Sequence, residues 1–415
     1  MSRAIPDSER RIRSVVRHHL GSSGPTVEPA ESSAVAVTRS LVALHSSDPV
    51  SVYLSVLARS PSATVESVSD ALYGDRQLAR VHGMRRTLWV ADIDTAADIV
   101  TASGSRLAQA ERKRWTNSLA EAGVGDPGAW IDGACAEILA FVTEAGLVDT
   151  QTIGEALPHR AVGFEVATGK VYAGTITAHT RILLMLAFEG LIMRAEPRGS
   201  WIASQYQWAE SESWLGRPLV EGNGGLPNAK RKRTRVASAQ AAVIDRYLQA
   251  FGPATTDDVV WWTGWPKGAI GKALAGLGAI EVDLDLGAGW LSPSDSFDPS
   301  SSDHEEVACA VAVLPALDPC TMGWKQRDHY LDPAMVGPLF DRNGNGGPTV
   351  WVGGRIVGGW AQRDNGEMVY RLLTDVGAEA VGRIERELER LAGELGDTRY
   401  KVRFPNPLNT ELRSP

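Results

Sequence analysis

The chain has 415 residues, 43% of them hydrophobic and 22% charged, and a net charge of −8. That length exceeds one compact core and predicts about three units, with the composition of a soluble globular protein. The acidic balance excludes a nonspecific polyanion binder judged by total charge, but not a local basic face.

No apolar run reaches the roughly 18 residues of a membrane span. The charged start, MSRAIPDSERRIRSVVRHHL, lacks a signal-peptide core, so a cytoplasmic protein is expected, nucleoid-associated if bacterial. Cys135, Cys309 and Cys320 are odd in number and far apart, giving neither metal spacing nor a disulfide framework. No metal or cofactor is expected. Basic residues cluster at Arg80, Arg85 and Arg86, at Arg112, Lys113 and Arg114, and at Lys230, Arg231, Lys232, Arg233 and Arg235.

In chain order, SSAVAVTRSLVALH has apolar residues at helical spacing. PVSVYLSVLARS is a second helix, opened by Pro49 where the missing N–H costs nothing. TVESVSDALYGDR is a third, ending at Gly74, and LARVHGMRRTLWVAD is strand-like. Three helices followed by strands is the order of a winged helix.

The pattern recurs over 106–215, where helices are predicted in DPGAWIDGACAEILAFVTEAGL, DTQTIGEALPHR and TAHTRILLMLAFEGLIMRAE. GSWIASQYQWAE then forms a strand pair. Residues 216–237 are Gly-, Asn- and Lys/Arg-rich and read as a basic linker. The third copy, 238–295, has a helix ending at Gly252, a helix capped by Thr256 or Asp257, a third helix and a hairpin through Gly287. Over 305–415, apolar strands with Gly turns and the amphipathic EAVGRIERELERLAGELG predict a small β-rich domain, a barrel capped by a helix.

One polar cluster stands out. His45-Ser46-Ser47-Asp48-Pro49 gathers an imidazole, two hydroxyls and a carboxylate between two apolar helical runs. The residue before proline is biased away from helix, so Ser47 and Asp48 are natural N-caps for the next helix. The same groups suit water-directed chemistry: His45 orients or deprotonates a water, Ser47 holds it, and Asp48 offsets positive charge.

Several long motifs carry a resemblance. YLQAFGPATTDDVVWWTGW, LPALDPCTMGWKQRDHYLDP, NGNGGPTVWVGGRIVGGW and ALYGDRQLARVHGMRRTLWV resemble the winged-helix DNA glycosylases of the AlkZ/YcaQ type, over nearly all of the chain after residue 30. The resemblance implies an α+β multidomain fold, with winged helices at 1–105, 106–215 and 238–295 and a C-terminal β-barrel with a terminal helix at 305–415. It implies a monomeric partner of damaged duplex DNA that hydrolyses the N-glycosidic bond of bulky N7-alkylated, including crosslinked, purines.

The family's Gln-x-Gln or Gln-x-Asp motif falls where this chain has His45-Ser46-Ser47, so His45, Ser47 and Asp48 become the catalytic candidates. Gln205-Tyr206-Gln207 has the right letters but lies in the second winged helix, and its structural reading is preferred. Arg85 and Arg86 are candidate phosphate contacts, or partners of Asp75 or Asp92. Lys230, Arg231, Lys232, Arg233 and Arg235 are a phosphate-contacting loop or a solvated linker. Arg327 and His329 reach the DNA or fix a turn, Asp318 forms a turn, and Trp261, Trp262, Trp265, Trp351 and Trp360 are mostly core. The missing glutamines also leave open a non-catalytic DNA-binding protein, lesion-sensing or regulatory, and more remotely a protein that sequesters a genotoxic metabolite.

Overall fold

The computed structural model describes residues 3–21, 33–166, 174–220, 229–301 and 304–414, and shows a mixed α+β protein. Two compact units emerge. One comprises Met1–Leu78, Trp89–Asp92 and Gln240–Pro415, and the other Ala79–Leu88 and Ile93–Ala239.

In the first unit, the run predicted as one helix through residue 45 ends at Ser40. Val42 takes a positive φ of 64°, which a β-branched residue adopts only under tertiary constraint. Leu44–His45 then forms a short strand, pairing Leu44 with Val90 and His45 with Trp89. Pro49–Leu57 follows as a fully buried helix, and Thr64 opens Val65–Ser69 through a capping box with Ser67.

Further along this unit, Thr255 rather than Thr256 or Asp257 caps Thr256–Thr263, because its hydroxyl accepts the Asp258 N–H while Asp258 accepts the Thr255 N–H. Lys267–Leu277 ends in Gly278 at φ 69°, and Ile280–Leu284 pairs with Gly287–Leu291. The C-terminal strands Val311–Leu314, Thr349–Val352, Arg355–Gln362 and Met368–Leu372 form one antiparallel sheet in linear order. The order is open, where a barrel was expected. Helices Gly377–Leu395 and Pro407–Arg413 pack against it.

A buried polar knot ties the Pro49–Leu57 helix to this C-terminal region. The Arg59 guanidinium is fully buried and binds Asp318 bidentately, at 2.7 and 2.8 Å. It also donates to the Ser55 and His18 carbonyls and to Cys320 Sγ. Ser55 donates to Asp318 as well, and Asp318 caps Pro319–Met322, so its turn-forming role is joined to an ion pair. His18 donates through Nε2 to the Ala250 carbonyl, which leaves Nδ1 to accept from the Cys320 thiol at 3.0 Å.

The second unit is built on the helices Ile93–Glu121, Pro127–Ala145 and Ala178–Phe188. The first runs unbroken across residues 105–106, where the sequence reading placed a boundary. Gly104 lets it approach Ala178–Phe188: a Cβ there would sit 1.8 Å from the Phe188 carbonyl oxygen. The apolar run expected as one helix to Glu196 stops at Phe188. Gly190 turns at φ 72°, and Ile192–Pro197 becomes a strand paired with Tyr206–Glu210. Trp115, Ile131, Ile138, Leu183, Leu186 and Trp208 form the core. The segment read as a linker to residue 237 is helical from Ala229, since Ala229–Phe251 is one helix.

Among the described residues no helix is long and apolar enough to cross a membrane, and no cluster of His, Cys, Asp and Glu could hold a metal.

Candidate active site

The junction at 45–49 is built by three segments of the first unit. The strand ladder with Trp89 fixes His45, the helix from Pro49 fixes Asp48, and the chain around residue 403 braces both. His45 and Ser47 are half-buried, while Ser46 and Asp48 are buried.

The Ser47 N–H donates to His45 Nδ1 at 3.4 Å. In the neutral ring the proton therefore sits on Nε2, making that nitrogen a donor. The bond is long, so the tautomer is held by no more than about 0.5–1.5 kcal/mol. The ring stands edge-on to Trp89, with centroids 5.0 Å apart. Trp89 continues into Trp262, Tyr247 and Phe251, an aromatic row that anchors His45 to the core.

Asp48 caps the Pro49–Leu57 helix. Oδ1 accepts from the Val50 N–H at 3.3 Å, and Oδ2 accepts from the Arg403 N–H at 2.9 Å. Burial pushes its pKa up, and these two N–H bonds offset part of that shift. Both oxygens thus serve the backbone. The Arg403 guanidinium donates to the Ser47 carbonyl at 3.2 Å. Arg403 belongs to the site and was not singled out from the sequence, since nothing local connects residue 403 with residue 47.

The remaining candidates lie elsewhere. Arg327 and His329 sit in the loop after Trp324, and the Arg327 guanidinium lies over Trp261 and Phe340. His329 is 1% exposed and rests edge-on against Trp324 and Tyr330, so its ring is not presented at the surface. Burial and the neighbouring Arg10 and Arg11 hold its pKa well below the usual value. Trp262, Trp265, Trp351 and Trp360 are buried, and Trp261 is half-buried.

In the second unit, Arg85 and Arg86 form the turn closed by the Gly83 N–H to Thr87 carbonyl bond, at φ 56° and 61°. Two successive non-glycine residues in the left-handed region cost of order 1 kcal/mol each. Arg85 is exposed. Arg86 pairs with Glu111 at 2.6 Å, rather than with Asp75 or Asp92. Glu111 is buried, accepts from the Trp115 ring N–H, and lies 3.9 Å from both Arg114 and Arg181.

Arg233 and Arg235 are exposed in the first turns of Ala229–Phe251, while the side chains of Lys230, Arg231 and Lys232 lie outside the described residues. Gln205 is exposed and its carbonyl accepts from the Arg198 N–H. Gln207 is half-buried, between the buried Tyr206 and Trp208.

The sequence model of the AlkZ-like DNA glycosylases matches residues 38–393. The chain belongs to the AlkZ-like DNA glycosylase family. That makes it a DNA-repair protein of the glycosidic-hydrolase class. Its fold is shared with the Streptomyces sahachiroi DNA glycosylase AlkZ, at a TM-score of 0.67 and 19% identity over 92% of this chain and 96% of that one. No curated protein sequence matches the chain. The matched segment of this family member includes the whole 45–49 junction.

Proposed function

We propose that this protein binds duplex DNA and hydrolyses the N-glycosidic bond of a bulky N7-alkylated purine at the junction of His45 and Ser47. An N7-alkylated purine is cationic and leaves with the bonding electrons, which neutralise its ring. The protein must then place a water at the sugar carbon, accept its proton and stabilise the developing sugar cation. The carrying observation is the half-buried His45 ring, fixed by Trp89 on one side and by the Ser47 N–H on the other.

With Nδ1 engaged, Nε2–H orients the water, and the weak Nδ1 bond lets the tautomer change so that the ring can take a proton. The Ser47 hydroxyl is the second water ligand. Asp48 acts as a positioning residue that holds the backbone of both. The order of three helices and a hairpin, found at 33–92, 127–210 and 229–291, supports three winged helices as the DNA-binding frame. Arg85, on its strained turn, and the basic start of Ala229–Phe251 are the proposed phosphate contacts.

The test is incubation with duplex DNA carrying N7-alkylguanine, scored for abasic sites. His45→Ala and Ser47→Ala should each slow release by about 100-fold or more while binding stays near that of the parent. Unchanged release in both variants would sink the assignment. The absence of the family's glutamines favours a second reading, a DNA-binding protein that senses lesions without cutting. Binding without abasic sites on any alkylated duplex would select it.

A further inference from the structure

The segment between helices Gly377–Leu395 and Pro407–Arg413 has no regular secondary structure, yet it is firmly attached. The Tyr400 N–H donates to Gln362 Oε1, the Gln362 amide donates to the Thr398 carbonyl, and Arg413 donates to the Tyr400 carbonyl. Its side chains alternate. Tyr400, Val402 and Phe404 turn inward, buried or half-buried, while Arg399, Lys401 and Arg403 are exposed. Exposed cations thus alternate with inward residues, and Arg399, Lys401 and Arg403 lie on the outer side of this strap.

The strap ends on the candidate site. The Arg403 N–H holds Asp48, and its guanidinium holds the Ser47 carbonyl through Nη1 alone. Among the described residues, Arg403 Nε and Nη2 make no further hydrogen bond. Among the same residues, Lys401 has only an exposed partner, Asp364, at 3.8 Å, and Arg399 donates only to carbonyls. Neutral carbonyls and one exposed carboxylate leave most of this charge unmatched.

We propose that the Arg399–Arg403 strap is a phosphate track. In this role it binds successive phosphates of one DNA strand beside His45 and Ser47, and Arg403 couples that strand to the backbone of the site. The inference rests on the reading that duplex DNA occupies this junction. Cations bound to phosphate release counterions, so each such contact contributes about 0.9 to the slope of log affinity against log salt.

The experiment is a salt titration of binding to an undamaged duplex oligonucleotide, with melting curves to establish folding. Arg403→Gln should lower the slope by about 0.9 and Arg403→Lys should restore it, because charge and not shape is being read. The triple change R399Q/K401Q/R403Q should lower it by about 2.7. Unchanged slopes in R403Q and in the triple variant overturn the track, even if the protein excises alkylated bases. Lowered slopes in a protein that releases no base keep the track and overturn the glycosidic reading instead. A parent protein that binds no duplex overturns both.

Discussion

Asp48 shows how one side chain serves local and long-range structure together. It is the N-cap next to Pro49, which the local sequence predicts, and it also holds the N–H of residue 403, which no local rule contains. Asp48→Ala should therefore destabilise the protein by about 1–3 kcal/mol, more than a cap alone, because a second, part-buried N–H loses its acceptor. Asp48→Ser should recover the cap, about 1 kcal/mol, but not the bond to Arg403. Denaturant midpoints separate the two, and an Asp48→Ser variant as stable as the parent would show that the Arg403 bond contributes nothing. Residue type identified His45 and Ser47 as candidates. The tautomer that decides what His45 can donate comes from the backbone N–H two residues on.

Among elements, the Pro49–Leu57 helix is clamped at both ends by the C-terminal region. Arg403 holds its start, Arg390 donates to the Leu57 carbonyl, and Arg59 locks onto Asp318 beyond its end. The Arg59–Asp318 pair is fully buried, so removing one partner strands the other's charge. Asp318→Ala should cost about 3–5 kcal/mol by chemical denaturation, and a loss near zero would show that the charge finds water. Helix starts were mostly legible: Thr64, Asp126 and Asp149 each accept a backbone N–H where a capping residue precedes an apolar run. Helix ends were less so. The runs through His45 and through Glu196 each break at a positive φ, at Val42 and Gly190, and apolar periodicity does not report such a break.

For the molecule as a whole, histidines set the acid limit. Five of the eight are held below their usual range, chiefly by burial: His82 to about 3, His19 to about 4, and His18, His179 and His329 lowered. Their unfolded forms bind protons from about pH 6.5 downward while the folded forms do not. The stability they contribute is complete above pH 6.5 and is lost as pH falls towards 4 and 3. Each such histidine adds up to about 1.4 kcal/mol per pH unit in that window. Asp48 has the opposite sign: with its pKa raised, it costs stability when ionised and recovers it on acidification. Carboxylates held low by their partners, such as Asp295 and Asp341, act in the same direction as the histidines, so the melting temperature should drop steadily from pH 7 to pH 4.5. A flat calorimetric profile would show these rings accept protons while folded.

The family, the succession of helices and hairpins, and the cluster from His45 to Pro49 were legible in the amino-acid sequence. These rest on local periodicity, on capping chemistry and on motifs long enough to be distinctive. Tertiary structure decided the remainder. It turned the expected barrel into an open four-stranded sheet, buried His329 and paired Arg86 with Glu111. It also brought Arg403 onto Ser47 and Asp48. Burial and partnership depend on which distant segments meet, and for the 45–49 junction the deciding partner lies some 350 residues away along the chain.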